Sequence, residues 1–291
     1  MNVWIQAARP KTLMASVCPV LIGAALAYRD GLFHWPAAVA ALIGAISIQI
    51  GTNYCNDYCD FLQGADTSSR KGPTRAVQAG LVTPEQMFRA TIAAFAITVL
   101  VCIYLVVRAG WPMAVIGAVS IFFGIMYTAG RYSLAYVGLG DLFVLVFFGP
   151  VAVAGTYYVQ ALTLQPGVMV AGLAPGFISV GILVVNNLRD IEEDRQASKR
   201  TLAVRLGLTF ARIEYLLAIV AAAAVPVFLW QMNYLPYGVL IASLMLAPGI
   251  GMARRLGSLE GQSLNPFLGR TAALLLGYTL IFCLGCVFVW V

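Results

Sequence analysis

The sequence predicts an all-α polytopic membrane protein, with nine transmembrane helices around a central cavity that opens to the cytoplasmic side. Of its 291 residues, 61% are hydrophobic and only 10% are charged. A soluble protein of this size cannot bury so much apolar surface, so the lipid bilayer is the expected solvent. Apolar runs of roughly 20 residues, the length of a spanning helix, recur along the whole chain. We therefore expect a single transmembrane domain over residues 1–291.

Nine apolar segments make up the predicted helices. Their approximate ranges are 12–28, 36–56, 86–107, 112–129, 137–159, 167–188, 210–230, 235–252 and 271–290. Turn signals such as Asp30-Gly31 and Gln165-Pro166-Gly167 separate them. The first segment, preceded by Arg9 and Lys11, also has the pattern of a cleavable signal peptide. Removing it would upset the topology, which favours an uncleaved membrane helix.

Lysine and arginine predict which side of the membrane each loop occupies. With the N terminus in the cytoplasm and nine alternating helices, sixteen of the eighteen basic residues lie inside, and only Arg29 and Arg108 lie outside. The positive-inside rule requires this kind of asymmetry. It also explains the net charge of +6 without a nucleic-acid partner. The longest cytoplasmic loops are then residues 57–85 and 189–209.

Two polar stretches end the second and the sixth apolar segments. The first contains Asn53, Asn56, Asp57 and Asp60, and the second contains Asn186, Asp190 and Asp194. Their spacing places most of each set on one face of a helix. Carboxylates are costly where a helix meets lipid, so such faces are functional by default. We expect the two faces to meet across one cavity.

Facing carboxylate and amide oxygens are hard ligands of the kind that Mg²⁺ prefers, alongside the oxygens of a bound phosphate. Basic residues that follow each stretch are suited to the remaining phosphate oxygens: Arg70, Lys71, Arg75, Lys199 and Arg200. Such a site favours departure of a diphosphate, and if the diphosphate is on an allylic lipid, a carbocation remains. Aromatic rings near that depth, at Tyr54, Tyr58 and Tyr127, are candidates to stabilise it. Tyr54 and Tyr58 are also typical of membrane-interface anchors.

Other readings of the same residues stay open at this point. Aspartates beside arginines at helix ends can be interfacial salt bridges, although two matched stretches make that less favourable. A cation-coupled transporter is a second alternative, but its ionisable residues would more often lie at mid-membrane. The cysteine pairs Cys55/Cys59 and Cys283/Cys286 have spacings seen in metal sites. With one histidine in the chain, small core residues are the favoured interpretation.

The motif Asn56-Asp57-Tyr58-Cys59-Asp60 resembles the first aspartate-rich motif of the UbiA-type intramembrane prenyltransferases. Asp190 and Asp194, followed by Lys199-Arg200-Thr201, resemble the second. Within that family, further segments are similar to members that prenylate dihydroxynaphthoate: residues 72–80, 127–130, 136–141, 146–149, 155–160 and 186–190.

The resemblance implies Mg²⁺-dependent transfer of a polyprenyl chain from polyprenyl diphosphate to 1,4-dihydroxy-2-naphthoate, with loss of CO₂, giving demethylmenaquinone. It implies an integral protein of the bacterial cytoplasmic (inner) membrane. Another aromatic acceptor, such as 4-hydroxybenzoate, is an alternative within the same fold. Arg131, Arg189 and Lys71 are candidates to hold the acceptor carboxylate, and the sequence does not choose among them.

The resemblance also implies roles for individual residues. The implied metal ligands are Asp57, Asp60, Asp66, Asp190 and Asp194. Asp66 stands in for an acid that the wider family has at the position of Gly64. The implied catalytic residues are Asp60, Asp190 and Tyr127, and the implied substrate-binding residues are Asn53, Asn56, Arg70, Lys71, Arg75, Arg131, Asn186, Lys199 and Arg200.

Overall fold

Apolar helices dominate the computed structural model, which describes residues 2–64, 71–130 and 133–288. The α-helices in these ranges are α1 (Val3–Ala7), α2 (Pro10–Arg29), α3 (Trp35–Leu62), α4 (Pro84–Ala109), α5 (Trp111–Met126), α6 (Leu134–Val137), α7 (Gly140–Val146), α8 (Ala152–Ala161), α9 (Pro166–Arg189), α10 (Ile191–Gln196), α11 (Leu202–Gln231), α12 (Leu246–Leu256) and α13 (Asn265–Phe288). A π-helical turn (Phe147–Val151) joins α7 to α8. Two 3₁₀ segments (Tyr237–Met245 and Gly261–Leu264) precede α12 and α13. The all-α prediction is confirmed for the described residues.

Eight of the described helical segments are long and apolar enough to cross a membrane. They correspond to eight of the nine predicted segments. The remaining predicted helix, 112–129, is observed as α5 (Trp111–Met126), an apolar helix of only 16 residues. The last predicted segment, 271–290, begins earlier than predicted, in α13 (Asn265–Phe288) and the 3₁₀ turn before it.

Helix boundaries near the polar stretches differ from the predicted ones. α3 continues to Leu62, so Asp57 and Asp60 lie on the helix and do not open a loop at residue 57. α11 begins at Leu202, where the Thr201 side chain accepts the Val204 N–H as an N-cap. The predicted second segment stopped at Asn56, before the first aspartate, but α3 continues because tertiary contacts satisfy Asp57 and Asp60. The predicted seventh segment began at Phe210, after a kink inside α11 where Gly207 has φ 86°.

The core is built around α9, most of which is buried among its neighbours. From α2, the side chains of Cys18, Ile22 and Leu26 are fully buried in the same core. The kinked helix α7–α8 packs closely on α9, and a Cβ at Gly172 would lie 2.7 Å from the Cα of Pro150. The first apolar helix therefore supplies part of the core.

A polar cluster closes the C-terminal end of α2, about 30 Å along that helix from its first residue. Asp30 accepts hydrogen bonds from Arg29 Nε at 2.7 Å and from the Tyr157 hydroxyl at 2.6 Å. Arg29 also donates to the Tyr234 carbonyl at 3.0 Å and lies over the Tyr234 ring. Gln165 donates to the Tyr157 hydroxyl at 3.2 Å. We call these five residues the Asp30 cluster.

Candidate active site

The first polar stretch forms a buried face on the last turns of α3, as its spacing predicts. Asn53, Asn56, Asp57 and Asp60 are all buried. The Asn53 amide donates to the Ala8 carbonyl at 2.8 Å, which ties α3 to the chain just before α2. The Thr128 hydroxyl donates to Asn56 Oδ1. These contacts hold the polar face in one orientation.

Asp57 anchors the loop that follows α3. Its two carboxylate oxygens accept the backbone N–H groups of Ala76 and Val77, at 3.0 and 3.2 Å. Ala76 and Val77 are themselves buried in a small apolar cluster with Val82 and Met87. The residues after Lys71 are therefore fastened to the end of α3, which brings Arg75 beside Asp60.

Asp60 is paired with one basic residue from each of the two long loops. Its Oδ2 lies 2.9 Å from Arg75 Nη2, and its Oδ1 lies 3.0 Å from Lys199 Nζ. The Asp60 side chain is only 3% exposed. Lys199 also lies over the Tyr136 ring, 5.1 Å from its centroid. These pairs join Asp60 to basic residues from the loops that follow the two polar stretches.

The second polar stretch crosses a break between two helices. α9 ends at Arg189, and Asp190 leaves the helical region with φ −97° and ψ 9° before α10 begins. Two hydrogen bonds of helical spacing survive the break, from Asp190 N to the Asn186 carbonyl and from Asp194 N to the Asp190 carbonyl. Asn186 therefore lies on α9, Asp190 at the break and Asp194 on α10, and not on one straight helix face.

Arg189 binds Asp190 in a bidentate fork. Its Nε and Nη2 lie 2.6 Å from the two Asp190 oxygens. Nη2 also donates to Asn186 Oδ1 at 2.6 Å, and Nη1 donates to Asn265 Oδ1 at 3.2 Å. Forked pairs of this kind are among the strongest charge-assisted hydrogen bonds in proteins. We call Asp60, Arg75, Lys199, Arg189 and Asp190 the Asp60–Asp190 cluster.

The start of the first loop packs directly on this cluster. The Lys71 N–H donates to a Glu193 carboxylate oxygen, and the Asn265 amide donates to the Lys71 carbonyl at 3.1 Å. A Cβ at Gly72 would lie only 2.9 Å from Arg189 Nη2, so a larger residue here would displace the guanidinium. The loop, α10 and the start of α13 thus hold one another around Arg189.

A polar cavity of about 490 Å³ lies among α2, α3, α9, α13 and the first loop. The predicted site residues in its wall are Asn53, Asn56, Asp57, Arg75, Tyr127 and Asn186. Its wall does not include Asp60 or Asp190 but includes their arginine partners, Arg75 and Arg189. In these two pairs the arginine therefore faces the cavity, and the carboxylate of Asp60 or Asp190 lies behind it.

Sequence reasoning missed several residues of this wall. Arg9, Lys11 and Thr12 line it from the start of α2, and Asn265 lines it from the start of α13. In the sequence, Arg9 and Lys11 served only as positive-inside signals. Asn265 lies in the last third of the chain, where no polar motif marks it. Only the three-dimensional packing brings these residues to the site.

An apolar cavity of about 180 Å³ adjoins the polar one. Both cavities share the wall residues Gln49, Thr52, Tyr127, Val144 and Phe148. The aromatic residues that line the apolar cavity include Phe123, Phe143 and Phe147, which contact one another.

Tyr127 stands at the junction of the two cavities. A tyrosine hydroxyl titrates well above neutral pH, so the ring is that of a neutral phenol. By contrast, Tyr54 donates to the Trp4 carbonyl at 3.1 Å and Tyr58 packs on Phe88, away from both cavities. Of the three candidate tyrosines, Tyr127 alone lines a cavity.

The other predicted residues are placed as follows. Lys199 is half-buried on Asp60, while Arg200 is exposed and contributes its N–H to the Tyr136 carbonyl. Lys71 is half-buried and does not line either cavity. Asp66, Arg70 and Arg131 lie outside the described residues.

Among the residues that the structure describes, no three His, Cys, Asp or Glu side chains lie close enough together to hold a metal ion. Asp60 and Asp190 are each paired with basic side chains instead. The meeting of the two predicted faces stays a prediction.

Comparison with known proteins places these features in a family. The model of the UbiA prenyltransferase family matches residues 16–264. The 1,4-dihydroxy-2-naphthoate octaprenyltransferase of Escherichia coli (strain K12) is 41% identical over 215 residues, covering 72% of this chain and 70% of the relative. The Mycobacterium tuberculosis protein of the same name is 42% identical over 213 residues, covering 73% and 72%.

A solved structure has the same fold. A UbiA homologue from Archaeoglobus fulgidus, bound to DMAPP and Mg²⁺, superposes with a TM-score of 0.66 at 14% identity. The superposition covers 97% of this chain and 99% of that one.

Proposed function

The chain belongs to the UbiA prenyltransferase family, and from that premise we propose that it transfers a polyprenyl chain from polyprenyl diphosphate to 1,4-dihydroxy-2-naphthoate. The acceptor loses its carboxylate as CO₂, and the product is demethylmenaquinone. The observation that carries this proposal is the identity of 41% and 42% to two relatives that bear the name of this activity. The two adjoining cavities, one polar and one apolar, suit a substrate with a charged head and a hydrocarbon tail.

The prenyl diphosphate is proposed to lie across the junction of the cavities. Its diphosphate enters the polar cavity, where Arg75 and Arg189 line the wall. Its hydrocarbon chain extends into the apolar cavity, beyond the shared residues Thr52 and Phe148. The allylic carbon then lies near Tyr127, whose aromatic ring can face the developing cation.

The donor set has the chemistry that Mg²⁺ prefers, although its carboxylates are paired with cations in the present arrangement. Asp60 and Asp190 carry carboxylate oxygens, and Asn56 and Asp194 lie on the same two stretches. We propose Asp60, Asp190 and Asp194 as the ligands, with Asn56 alongside. Asp57 is better assigned as the anchor of the loop, since Ala76 and Val77 occupy its oxygens. Asp66 and Arg70 keep their proposed roles from the family resemblance. When bound, Mg²⁺ would neutralise charge on the leaving diphosphate.

The basic residues of the Asp60–Asp190 cluster have a second task. Arg75 and Lys199 neutralise Asp60 in the present arrangement. If Asp60 held Mg²⁺ instead, both side chains would be available to phosphate oxygens. Such an exchange of partners would turn the ion pairs of Asp60 into a diphosphate site without leaving a buried charge unpaired. Arg189, which is paired with Asp190, is kept for the acceptor.

The acceptor carboxylate needs a cation in the polar cavity. Of the three candidates, Arg189 lines that cavity and is only 3% exposed. Lys71 does not line it, and Arg131 lies outside the described residues. We therefore favour Arg189 for this role. Asn186 and Asn265, which bind its guanidinium, would keep it in place.

The proposed topology puts the N terminus and the polar cavity on the cytoplasmic side. It takes α5 as the ninth span and rests on the sixteen basic residues that this arrangement places inside. Arg29 and Arg108, the two assigned outside, cap carbonyls at the opposite end of the helices, those of Tyr234 and Gln160. With bacterial relatives, this supports location in the bacterial inner membrane.

A direct assay tests the proposal. Purified protein in detergent is given geranylgeranyl diphosphate, Mg²⁺ and either dihydroxynaphthoate or 4-hydroxybenzoate. We expect prenylated product and CO₂ from dihydroxynaphthoate only. Product from 4-hydroxybenzoate alone would support prenyl transfer but rule out dihydroxynaphthoate as the acceptor. No product from either acceptor, together with substrate flux into liposomes, would support the transporter alternative.

A further inference from the structure

Cys55 and Cys59 lie one helical turn apart at the end of α3, and their sulfur atoms are 3.8 Å apart. All six cysteines of the chain are free thiols. Among the described residues, Cys55 and Cys59 are the one pair of cysteines with sulfur atoms in hydrogen-bonding contact. The reaction proposed above has no use for either sulfur, because neither residue lines the polar or the apolar cavity.

The helix makes this pair a poor disulfide. The Cβ atoms of residues four apart on a helix are roughly 5–6 Å apart. A disulfide requires a Cβ–Cβ distance of about 3.5–4.5 Å. Closing an S–S bond would therefore unwind the turn that carries Asn56, Asp57 and Asp60, whose contacts hold it in place.

The same separation suits a single atom that bonds to both sulfurs. Two bonds of about 2.3 Å at a tetrahedral angle, as around a thiolate-bound metal, place the sulfurs about 3.8 Å apart. The observed distance is 3.8 Å. Trivalent arsenic is pyramidal and holds two sulfurs slightly closer together, so a bridging atom needs far less movement than an S–S bond of about 2.0 Å.

We propose that Cys55 and Cys59 form a dithiol site that chelates one thiophilic atom, with trivalent arsenic as its ligand class. Trivalent arsenic needs no third protein ligand, and no group of three metal-binding side chains exists among the described residues. Cys59 is half-buried, while Cys55 is only 6% exposed. A trivalent arsenic compound therefore bonds to the more exposed Cys59 first and then to Cys55.

The chemistry is a condensation without a redox change. An aryl arsenoxide forms one As–S bond to each sulfur, and its As–O bond is broken. The oxygen leaves as water with the two thiol protons, and arsenic stays trivalent. Because Cys59 directly precedes Asp60, the bound group stiffens and crowds the turn that supports the Asp60–Asp190 cluster. We expect it to inhibit prenyl transfer. That effect rests on the proposed function, whereas the binding does not.

The test uses phenylarsine oxide on the full-length protein in detergent, read by intact-protein mass spectrometry. We expect one phenylarsenic group per chain with loss of one water, kept in excess monothiol and removed by 2,3-dimercaptopropanol. Cys55→Ser and Cys59→Ser should each weaken retention by roughly a hundredfold, because the second bond no longer forms at high effective concentration. Cys102→Ser and Cys283→Ser are matched controls and should retain the group.

Retention in both Cys55→Ser and Cys59→Ser, or its loss in Cys283→Ser, would overturn the proposal. So would the absence of an adduct on wild-type protein that melts normally. A melting curve for each variant separates loss of the site from loss of the fold. Since mass is the readout, failure of the prenyl-transfer assay leaves this result unaffected.

Discussion

Two buried ion-pair clusters, at opposite ends of the helices, use the same residue types in different surroundings. In the Asp30 cluster, Arg29 and Tyr157 occupy one carboxylate oxygen each, and its residues line neither cavity. In the Asp60–Asp190 cluster, the arginines of both pairs face a polar cavity. Buried ion pairs are therefore candidate functional sites where their cations line a cavity that a ligand can enter. An ion pair that lines no cavity stabilises the fold.

The largest expected effect comes from removing a carboxylate of the Asp60–Asp190 cluster. We expect Asp60→Asn and Asp190→Asn each to lower the rate of prenyl transfer by about a thousandfold, the scale seen when a group that stabilises developing charge is lost. The measurement is the initial rate with radiolabelled prenyl diphosphate at saturating Mg²⁺. Rates within tenfold of wild type would mean that the cluster is only structural.

A smaller effect is expected from Arg75, which faces the cavity. Arg75→Gln should raise the KM for prenyl diphosphate by roughly 10- to 100-fold, since a hydrogen bond to a charged group contributes about 1.5–3 kcal/mol. Arg108→Gln is the matched control, because Arg108 donates to the Gln160 carbonyl at the other end of the helices. Equal changes in KM for the two variants would remove Arg75 from the diphosphate site.

Substitutions of Tyr127 test whether its aromatic ring acts at the junction between the cavities. Tyr127→Ala should lower kcat by about tenfold, the scale of a cation–π contact in a desolvated site. Tyr127→Phe keeps the aromatic face and should stay within about twofold. The rate of the chemical step in each variant is measured by rapid quench. A strong loss in Tyr127→Phe would instead assign the role to the hydroxyl.

The smallest effect on rate is expected in the Asp30 cluster. Asp30→Asn leaves Arg29 buried without its charge partner, and should cost about 3 kcal/mol of stability. Its kcat should change by less than about twofold. Thermal unfolding in detergent and the prenyl-transfer assay measure the two quantities separately. A large loss of kcat in well-folded Asp30→Asn protein would contradict a purely structural role for the Asp30 cluster.

The sequence predicted the helices and the buried polar face of α3, because apolar length and helical spacing are local properties. It missed the end of α3, since hydropathy reads an aspartate as the end of a membrane helix even where tertiary contacts satisfy it. It also missed the start of α11, which precedes a kink at Gly207. It also could not foresee that Asp57 would bind the N–H groups of Ala76 and Val77. That contact depends on where the loop returns.

Which residues face the cavity was equally hidden. Arg189 and Asp190 are adjacent in the chain, yet only the arginine lines the polar cavity. The break in the helix at Asp190 produces this arrangement, and no glycine or proline marks it in the sequence. Arg9 and Asn265 come from the two ends of the chain, and the packing of α2 against α13 places both in the cavity wall.

The exchange of partners within the Asp60–Asp190 cluster is tested most directly by ligand-induced thermal stabilisation. Wild type, Asp60→Asn and Asp30→Asn are melted with geranylgeranyl diphosphate, with and without Mg²⁺, and without acceptor. At a hundredfold excess over Kd, binding stabilises the folded state by about 2.7 kcal/mol. We predict an Mg²⁺-dependent rise in Tm that is the same in wild type and Asp30→Asn and absent in Asp60→Asn. An equal rise in all three proteins, or a rise that does not need Mg²⁺, would contradict the account.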